Sequence, residues 1–446
     1  MKKTIAALTA FVIMLTVFSV SASAKGYEFD LKRDDKQVEL HTDTLLVVSL
    51  DTGDVVFEKN ADEKRYPAST TKIMTYIITA ENVEDFDNTR VLIKEDVLEP
   101  LEGTDSSLSG IYEHIGEEMT VTDLLHCLMV SSGNDAAMIL ADYIGAGSIS
   151  HFVDMMNQKA KELGCENTHF ANPHGLHDEN HYTTAYDLYK MTKYALTLPK
   201  FAEITNTTTY YCEGDDYPLT TTNSMIDENR GGEYYYRYAK GIKTGTTNAA
   251  GMCLVSTGYY EGYAYMIIAL HAPGPEESDV NYAMIDSANL YRWAFLNLEM
   301  RSIINKSTPV CEQKLNFAWQ KEGVLLTPEK NFTMIIPQDA QDGDIRIEPH
   351  CAETADAPVK EGDILGTADV YYKGDLITTI NLVSSEDVER SQLLYIIYTA
   401  KQIVSSPIFL ILLAVAAVLL IIYLIIATVY GRRKKTRRRV RNYRDF

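Results

Sequence analysis

The sequence contains no Cys-x-x-Cys pair and no His-Glu-x-x-His segment, and its charge runs heavily to one sign. Cysteine is scarce, with six in 446 residues. Cys127, Cys165, Cys212, Cys253, Cys311 and Cys351 stand too far apart to read as a disulfide framework, and a chain of this length needs no staples; they are expected to be buried free thiols. Glycine and proline sit at ordinary levels, so disorder is not indicated. Lys and Arg total 41 against 62 Asp and Glu, a net charge of −21. That sign excludes polyanions such as nucleic acid as partners.

Long apolar runs are missing as well, with two exceptions. Lys2 and Lys3 precede an apolar run from Ile5 to Val20, and Ala22-Ser23-Ala24 offers a small-x-small cleavage site. This is the layout of a secretory signal peptide over residues 1–24. The second run, Ile408 to Tyr430, carries no charge over 23 residues. As a helix it spans ~34 Å at ~1.5 Å per residue, enough for a hydrocarbon core of ~30 Å. Arg432, Arg433, Lys434, Lys435, Arg437, Arg438, Arg439, Arg441 and Arg444 follow it. Positive residues stay cytoplasmic, so a single-pass membrane protein is expected, its C-terminus inside and residues 25–407 outside. With the tail's +8 and the leader's +2 set aside, the exported part carries −31.

Hydrophobic periodicity predicts strands at both ends of a first domain, residues 25–301, and helices between them. Thr44–Leu50 and Val55–Lys59 read as a hairpin about Asp51–Asp54. Helices are predicted from Ser69 to about Asn82, from Thr122 to Ile144 with an interruption at Ser131–Asn134, over Ile149–Leu163 and over Ala185–Leu196. Gly241–Thr246, Met252–Tyr259 and Tyr263–Ala272 read as strands, and Glu276–Leu298 as a closing helix. An antiparallel sheet built from the two ends and flanked by helices, an α/β (α+β) architecture, satisfies this order. Residues 302–390 read as a small β-rich domain, with runs at Asn331–Pro337, Gly343–Pro349, Asp363–Tyr372 and Leu376–Val383. Residues 391–407 read as a juxtamembrane segment, 408–430 as the span and 431–446 as a basic tail.

Three short motifs occur in order: Ser69-Thr70-Thr71-Lys72, Ser132-Gly133-Asn134 and Lys243-Thr244-Gly245. Ser69 and Lys72 are three apart at a helix start, so their side chains share one face. A serine hydroxyl needs an adjacent base, and a lysine amine serves only when neutral. Lowering its pKa from ~10.4 to ~7–8 takes about 4 kcal/mol, which burial and a second cation can supply. Lys243 is the natural second cation. Its motif lies on a predicted edge strand, along which a peptide can add as a further strand. Lys243 and Thr244 would take the terminal carboxylate, and Gly245 would leave room for the ligand backbone. The Thr246 N–H, with that of Ser69, would form an oxyanion hole. Ser132 is placed to relay a proton to the leaving amine, and Asn134 to hydrogen-bond the substrate amide. Ser-x-x-Lys alone is a weak signal, and Ser287-Ala288-Asn289 is a decoy for the second motif. The ordered conjunction is strong.

The set resembles the low-molecular-weight penicillin-binding proteins, the serine D-Ala-D-Ala carboxypeptidases. Tyr66-Pro67-Ala68-Ser69-Thr70-Thr71-Lys72-Ile73-Met74-Thr75, Ser132-Gly133-Asn134-Asp135-Ala136, Asn172-Pro173-His174-Gly175-Leu176 and Gly241-Ile242-Lys243-Thr244-Gly245 carry the resemblance. It covers residues 40–300 well and the β-rich domain more loosely, and it implies a β-lactamase/transpeptidase-like fold. It further implies an acyl-enzyme on Ser69, release of the terminal D-Ala of peptidoglycan stem peptides, no cofactor, and acylation by β-lactams as substrate mimics. Gly133 stands where class A β-lactamases usually carry Asp, and the Glu-x-x-Leu-Asn segment of those enzymes is missing between Asn134 and Lys243. Transfer to an amine, a transpeptidase reaction, stays open, as does a non-catalytic wall-binding module. His169, His174, His177 and His181 cluster without the spacing of a zinc site.

Overall fold

The aliphatic, β-branched run Thr44–Ser49 forms strand β1, and a turn with Gly53 at φ 84° returns the chain into β2 (Val55–Lys59). The computed structural model describes residues 27–442 apart from 28, 34, 35, 105 and 320, with side chains as far as residue 430. The expected signal peptide lies outside the described residues, and so do the side chains of the basic tail.

Helix α1 (Lys72–Asn82) follows the hairpin, then α2 (Val121–Met129), α3 (Asn134–Ile144), α4 (Ile149–Glu162) and α5 (Ala185–Ala195). Thr120, Ser148 and Thr184 cap α2, α4 and α5, each accepting the N–H three residues on. Strands β3 (Ala239–Thr247), β4 (Gly251–Tyr260) and β5 (Tyr263–Ala272) then join β1 and β2 in one antiparallel sheet of order β2-β1-β5-β4-β3. The predicted union of the two chain ends is thus observed, and β3 is an edge. Thr246 lies opposite Met252, Gly245 opposite Cys253 and Lys243 opposite Val255.

Alternation along β1 and β5 divides the core. Leu46, Val48, Met266 and Ile268 face the helical layer, where Lys72 to Thr79 of α1 are all buried. Leu45, Val47, Tyr265 and Ile267 face helix α6 (Tyr282–Asn297) and its Tyr291 and Trp293. Every face of the sheet is therefore covered, which explains the apolar runs of its inner strands. Helix α6 begins at Tyr282, six residues later than predicted, because Asn281 caps it through Met284 N–H at 3.2 Å. The acidic run before it forms a turn, with Glu277 N–H on Gly274 O.

Strand β6 (Leu298–Ile304) leaves α6. The second unit, residues Ile303–Phe332 and Gly343–Phe446, contains β7 (Cys311–Asn316) and β8 (Gly323–Pro328). The run expected in the small β domain at Asn331–Pro337 forms β9 (Phe332–Pro337) instead, and it pairs with β6. Residues Thr333–Asp342 belong to the first unit, where Ile335 is 1% exposed in the core beside α6 and its N–H reaches Asp54 at 3.2 Å. Its alternation matched a β domain; its apolar side chain found the larger core. The second unit continues with β10 (Ile345–Cys351), β11 (Thr354–Asp356), β12 (Ile364–Tyr372) and β13 (Asp375–Ser384). They form a six-stranded sheet of order β10-β12-β13-β8-β7-β11 over Leu315, Val324, Leu326, Ala368 and Leu382. Helix α7 (Gln392–Ser405) precedes α8 (Pro407–Asn442). The 24 residues Pro407–Tyr430 are long and apolar enough to cross a membrane, and none of that stretch is buried against the protein. Of the cysteines, Cys127, Cys165, Cys212 and Cys253 are buried thiols as expected, whereas Cys311 and Cys351 are half-buried.

Candidate active site

Pro67 fixes the entry into a single 3₁₀ turn, Ala68–Thr71, from which α1 continues at Lys72. The turn is held by two hydroxyls: Thr70 Oγ1 donates to Pro67 O at 2.7 Å and Thr71 Oγ1 to Ala68 O at 2.8 Å. Ser69 is half-exposed at its outer side, and Lys72 is fully buried one turn on. The three-residue spacing brings Lys72 Nζ to 2.9 Å from Ser69 Oγ.

Lys72 Nζ has two further partners, Asn134 Oδ1 at 2.6 Å and the carbonyl of His174 at 2.9 Å. Neither of those oxygens has a proton to give. A neutral amine has two N–H bonds and one lone pair, so it donates to both and leaves its lone pair for the Ser69 hydroxyl. Burial first, and the Lys243 ammonium second, hold the Lys72 pKa well below the usual lysine value, against an opposite pull from Asp135. The constellation suits a general base acting on Ser69.

The second motif lies in the break between α2 and α3. Ser132 is buried and adopts φ 64°, a left-handed conformation that a residue with a β-carbon occupies at some cost. Asn134 opens α3, and its N–H bonds Ser107 O at 2.8 Å. Asp135, fully buried, accepts from Ser109 N and Ser109 Oγ, both at 2.8 Å, and from Ala136 N at 2.9 Å. A β-carbon on Gly133 would lie 2.4 Å from Asp135 Oδ1 and 2.6 Å from Ser109 Oγ. The glycine where class A β-lactamases carry Asp is thus a packing requirement of this loop.

The third motif lies on the free edge of β3. A β-carbon on Gly245 would lie 2.9 Å from Ser69 N and 3.0 Å from Pro67 O. The missing side chain at Gly245 makes room for the nucleophile's own turn, which packs directly on the strand. Lys243 is 1% exposed, its Nζ bonded to Thr244 O at 3.0 Å, and burial brings its pKa down to about 7. Thr244 Oγ1 meets Thr222 Oγ1 at 2.5 Å, and Thr246 is exposed. Ser69, Lys72 and Asn134 are thus joined by direct hydrogen bonds, Gly245 backs the turn, and Lys243 is close enough to act on the Lys72 charge.

Pattern reading missed Thr222, and it quoted Asp135 only within the segment around the second motif, with no role of its own. It also assigned no part to His174, whose contribution is a main-chain carbonyl that side-chain chemistry does not reveal. The other clustered histidines are engaged separately. His177 packs edge-on against Tyr66, His169 Nδ1 meets Asn180 O, and His181 is buried between Thr71 and Ala171.

The D-alanyl-D-alanine carboxypeptidase family, peptidase S11, matches residues 31–274, more than half of the chain. The chain belongs to this family. A second match, to the C-terminal domain of penicillin-binding protein 5, covers residues 298–390. The D-alanyl-D-alanine carboxypeptidase DacF of Bacillus subtilis is 30% identical over 383 residues, 85% of this chain and 93% of its own length. Among solved structures, penicillin-binding protein 5 from Haemophilus influenzae superposes with a TM-score of 0.64 over 80% of this chain and 99% of that one, at 24% identity, a likeness of fold. A variant of the Streptomyces K15 DD-transpeptidase gives a TM-score of 0.52 over 58% of this chain and 100% of that one, at 26% identity. The S11 chain is accordingly a serine-type D-Ala-D-Ala carboxypeptidase in its enzyme class. Its α/β fold is that of the penicillin-binding proteins, accompanied by a small β domain.

Proposed function

We propose that this enzyme removes the terminal D-Ala from peptidoglycan stem pentapeptides through an ester on Ser69. The observation that carries the reading is the buried Lys72 amine, 2.9 Å from Ser69 Oγ and saturated on its other side by Asn134 and His174. Ser69 Oγ attacks the carbonyl of the penultimate D-Ala while its proton passes to Lys72 Nζ. The N–H groups of Ser69 and Thr246 take the oxyanion. Collapse expels the D-Ala amine, which receives the Lys72 proton through Ser132, and water then cleaves the ester. Asn134 orients the substrate amide.

Lys243 supports the assignment of the carboxylate end. Its buried ammonium makes one hydrogen bond within the protein among the described residues, so two N–H donors remain for a ligand. A peptide carboxylate held by Lys243 and Thr244 would satisfy them. β-Lactams, which present a carboxylate beside a strained amide, would acylate the same serine.

The same reading puts residues 25–407 outside the cell membrane. Residues 1–24 serve as signal peptide, the catalytic domain extends to residue 301, the β-rich domain to 390, and α8 anchors the chain with its basic end in the cytoplasm. Mass spectrometry of the penicillin adduct should place the added mass on the Ser69 peptide, and Ser69→Ala should lose both the adduct and D-Ala release. An adduct elsewhere would defeat the assignment. The likeness to a DD-transpeptidase favours a second outcome, attack by an amine. Incubating a stem pentapeptide with an acceptor amine separates the two, since hydrolysis yields tetrapeptide and transfer yields a cross-linked product.

A further inference from the structure

The residue before the nucleophile, Ala68, adopts φ 47°, which side chains with a β-carbon disfavour. Something must hold it there. Its carbonyl is fixed from two sides. Gly175 crowds it so closely that a β-carbon on Gly175 would fall 1.9 Å from Ala68 O, and Thr71 Oγ1 donates to the same oxygen at 2.8 Å. Thr71 spends its one proton on that bond, so toward His181 Nε2, 2.7 Å away, it can only accept. Nε2 therefore carries hydrogen. The other ring nitrogen, Nδ1, accepts the Ala171 N–H at 3.1 Å and therefore carries none.

One neutral tautomer satisfies every contact, and a protonated ring would set an N–H against the Ala171 N–H. His181 is 2% exposed, and burial holds its pKa down to about 4, so the ring keeps this polarity at neutral pH. The result is a one-directional chain from Ala171 N–H through the imidazole and the Thr71 hydroxyl to the Ala68 carbonyl. Ala171 also begins the segment in which Asn172 Oδ1 holds Gly175 N at 2.7 Å and the His174 carbonyl holds Lys72 at 2.9 Å.

We propose that His181 is a positioning residue for acylation: its neutral ring ties the turn bearing Ser69 to the segment bearing the Lys72 acceptor, and so sets the distance between nucleophile and base. No ring atom meets either group. The proposal rests on the reading of Ser69 as nucleophile. A plain space-filling role for the ring, against Phe170 at 5.6 Å between ring centres, is the alternative.

The test is stopped-flow acylation of the full chain by a fluorescent penicillin, with the saturating rate constant expressed per site labelled at the end point. Misfolded molecules then lower the amplitude and leave the rate untouched. His181→Asn keeps an acceptor near Nδ1 and removes the donor to Thr71; His181→Gln can restore that donor. The expected result is a fall of ~10–100-fold in the acylation rate for His181→Asn, the range for an ångström-scale misplacement, with the encounter constant unchanged. His181→Gln should recover much of it. Thr71→Val should lose a similar factor, and combining it with His181→Asn should cost little more, because the chain is already cut. A wild-type rate per site in His181→Asn, or losses that multiply in the double variant, would overturn the proposal. If His181→Asn leaves no labelled site, the rate of His181→Gln decides, with equality to Thr71→Val overturning it. Failure of the underlying reading looks different: the wild-type adduct would then lie off Ser69.

Discussion

Lys72 and Lys243 are both buried lysines, and their surroundings give them opposite tasks. Lys72 has three oxygen partners and sits beside a second cation; Lys243 has one carbonyl and an edge open to ligand. A lysine is cationic below its pKa, so in the empty site Lys243 is charged below about pH 7 and loses that charge above it. Burial and the Lys243 charge hold Lys72 well below the usual lysine value, and rising pH only favours its neutral form. The expected consequence is that kcat/KM for a peptide ending in D-Ala-D-Ala falls as pH rises through about 7, because carboxylate capture weakens while the base stays competent. Lys243→Arg, which stays protonated, should move that fall to higher pH. A profile flat to pH 9 would contradict the assignment. Gly245 permits a second check at this scale. A methyl there meets main-chain atoms of the Ser69 turn at 2.9 and 3.0 Å, which cannot rotate away. Gly245→Ala should slow penicillin acylation ~10-fold or more while retaining cooperative thermal unfolding, at a stability cost of about 1–3 kcal/mol.

Among the elements, the loop before α3 depends most on a single side chain. Asp135 gathers the Ser109 N–H and hydroxyl and the Ala136 N–H in a fully buried position, and with Asn134 N–H on Ser107 O it pins residues 107–111 over the second motif. Asp135→Ala leaves those donors unsatisfied and should cost about 2–4 kcal/mol in urea unfolding, whereas an exposed carboxylate such as Glu179 changed to Ala should cost under about 0.5. Equal costs would show that the loop does not rely on Asp135. The motif residues were legible because their spacing maps onto local geometry: three residues for one helical face, and β-branched flanks for an edge strand. Strand β9 was not, since its alternation fits either unit and only the Ile335 pocket selects one. Nor was Asp135 readable, because an acidic residue after Asn looks like a solvated helix start until the loop folds onto it. The His174 carbonyl left no trace at all, main-chain acceptors being the same at every residue.

For the molecule as a whole, α8 is set apart by the company it lacks. None of its apolar stretch Pro407–Tyr430 is buried, and Ile411, Leu419, Ile421 and Ile425 are among its exposed residues. Nineteen aliphatic residues, alanines included, lie in this one stretch and exceed the apolar patch a soluble monomer carries, which is what the proposed membrane anchor requires. The catalytic unit has hydrophobic core clusters of its own. Removing residues 407–446 should therefore shift the protein from the membrane pellet to the supernatant while leaving kcat/KM on a soluble pentapeptide within about two-fold of the full chain, the surface-substitution regime. A full chain that remains in the supernatant without detergent would rule out the anchor. A truncated chain that loses activity on the soluble peptide would instead mean that α8 supports the fold. The strong acidity of residues 25–407 bears on the same experiment, because charge of one sign keeps the freed domain soluble and would disperse it from an anionic surface once the proposed tether is gone. Activity on intact wall should accordingly fall much further than activity on peptide, and that difference measures what the tether contributes by confining the site near its substrate.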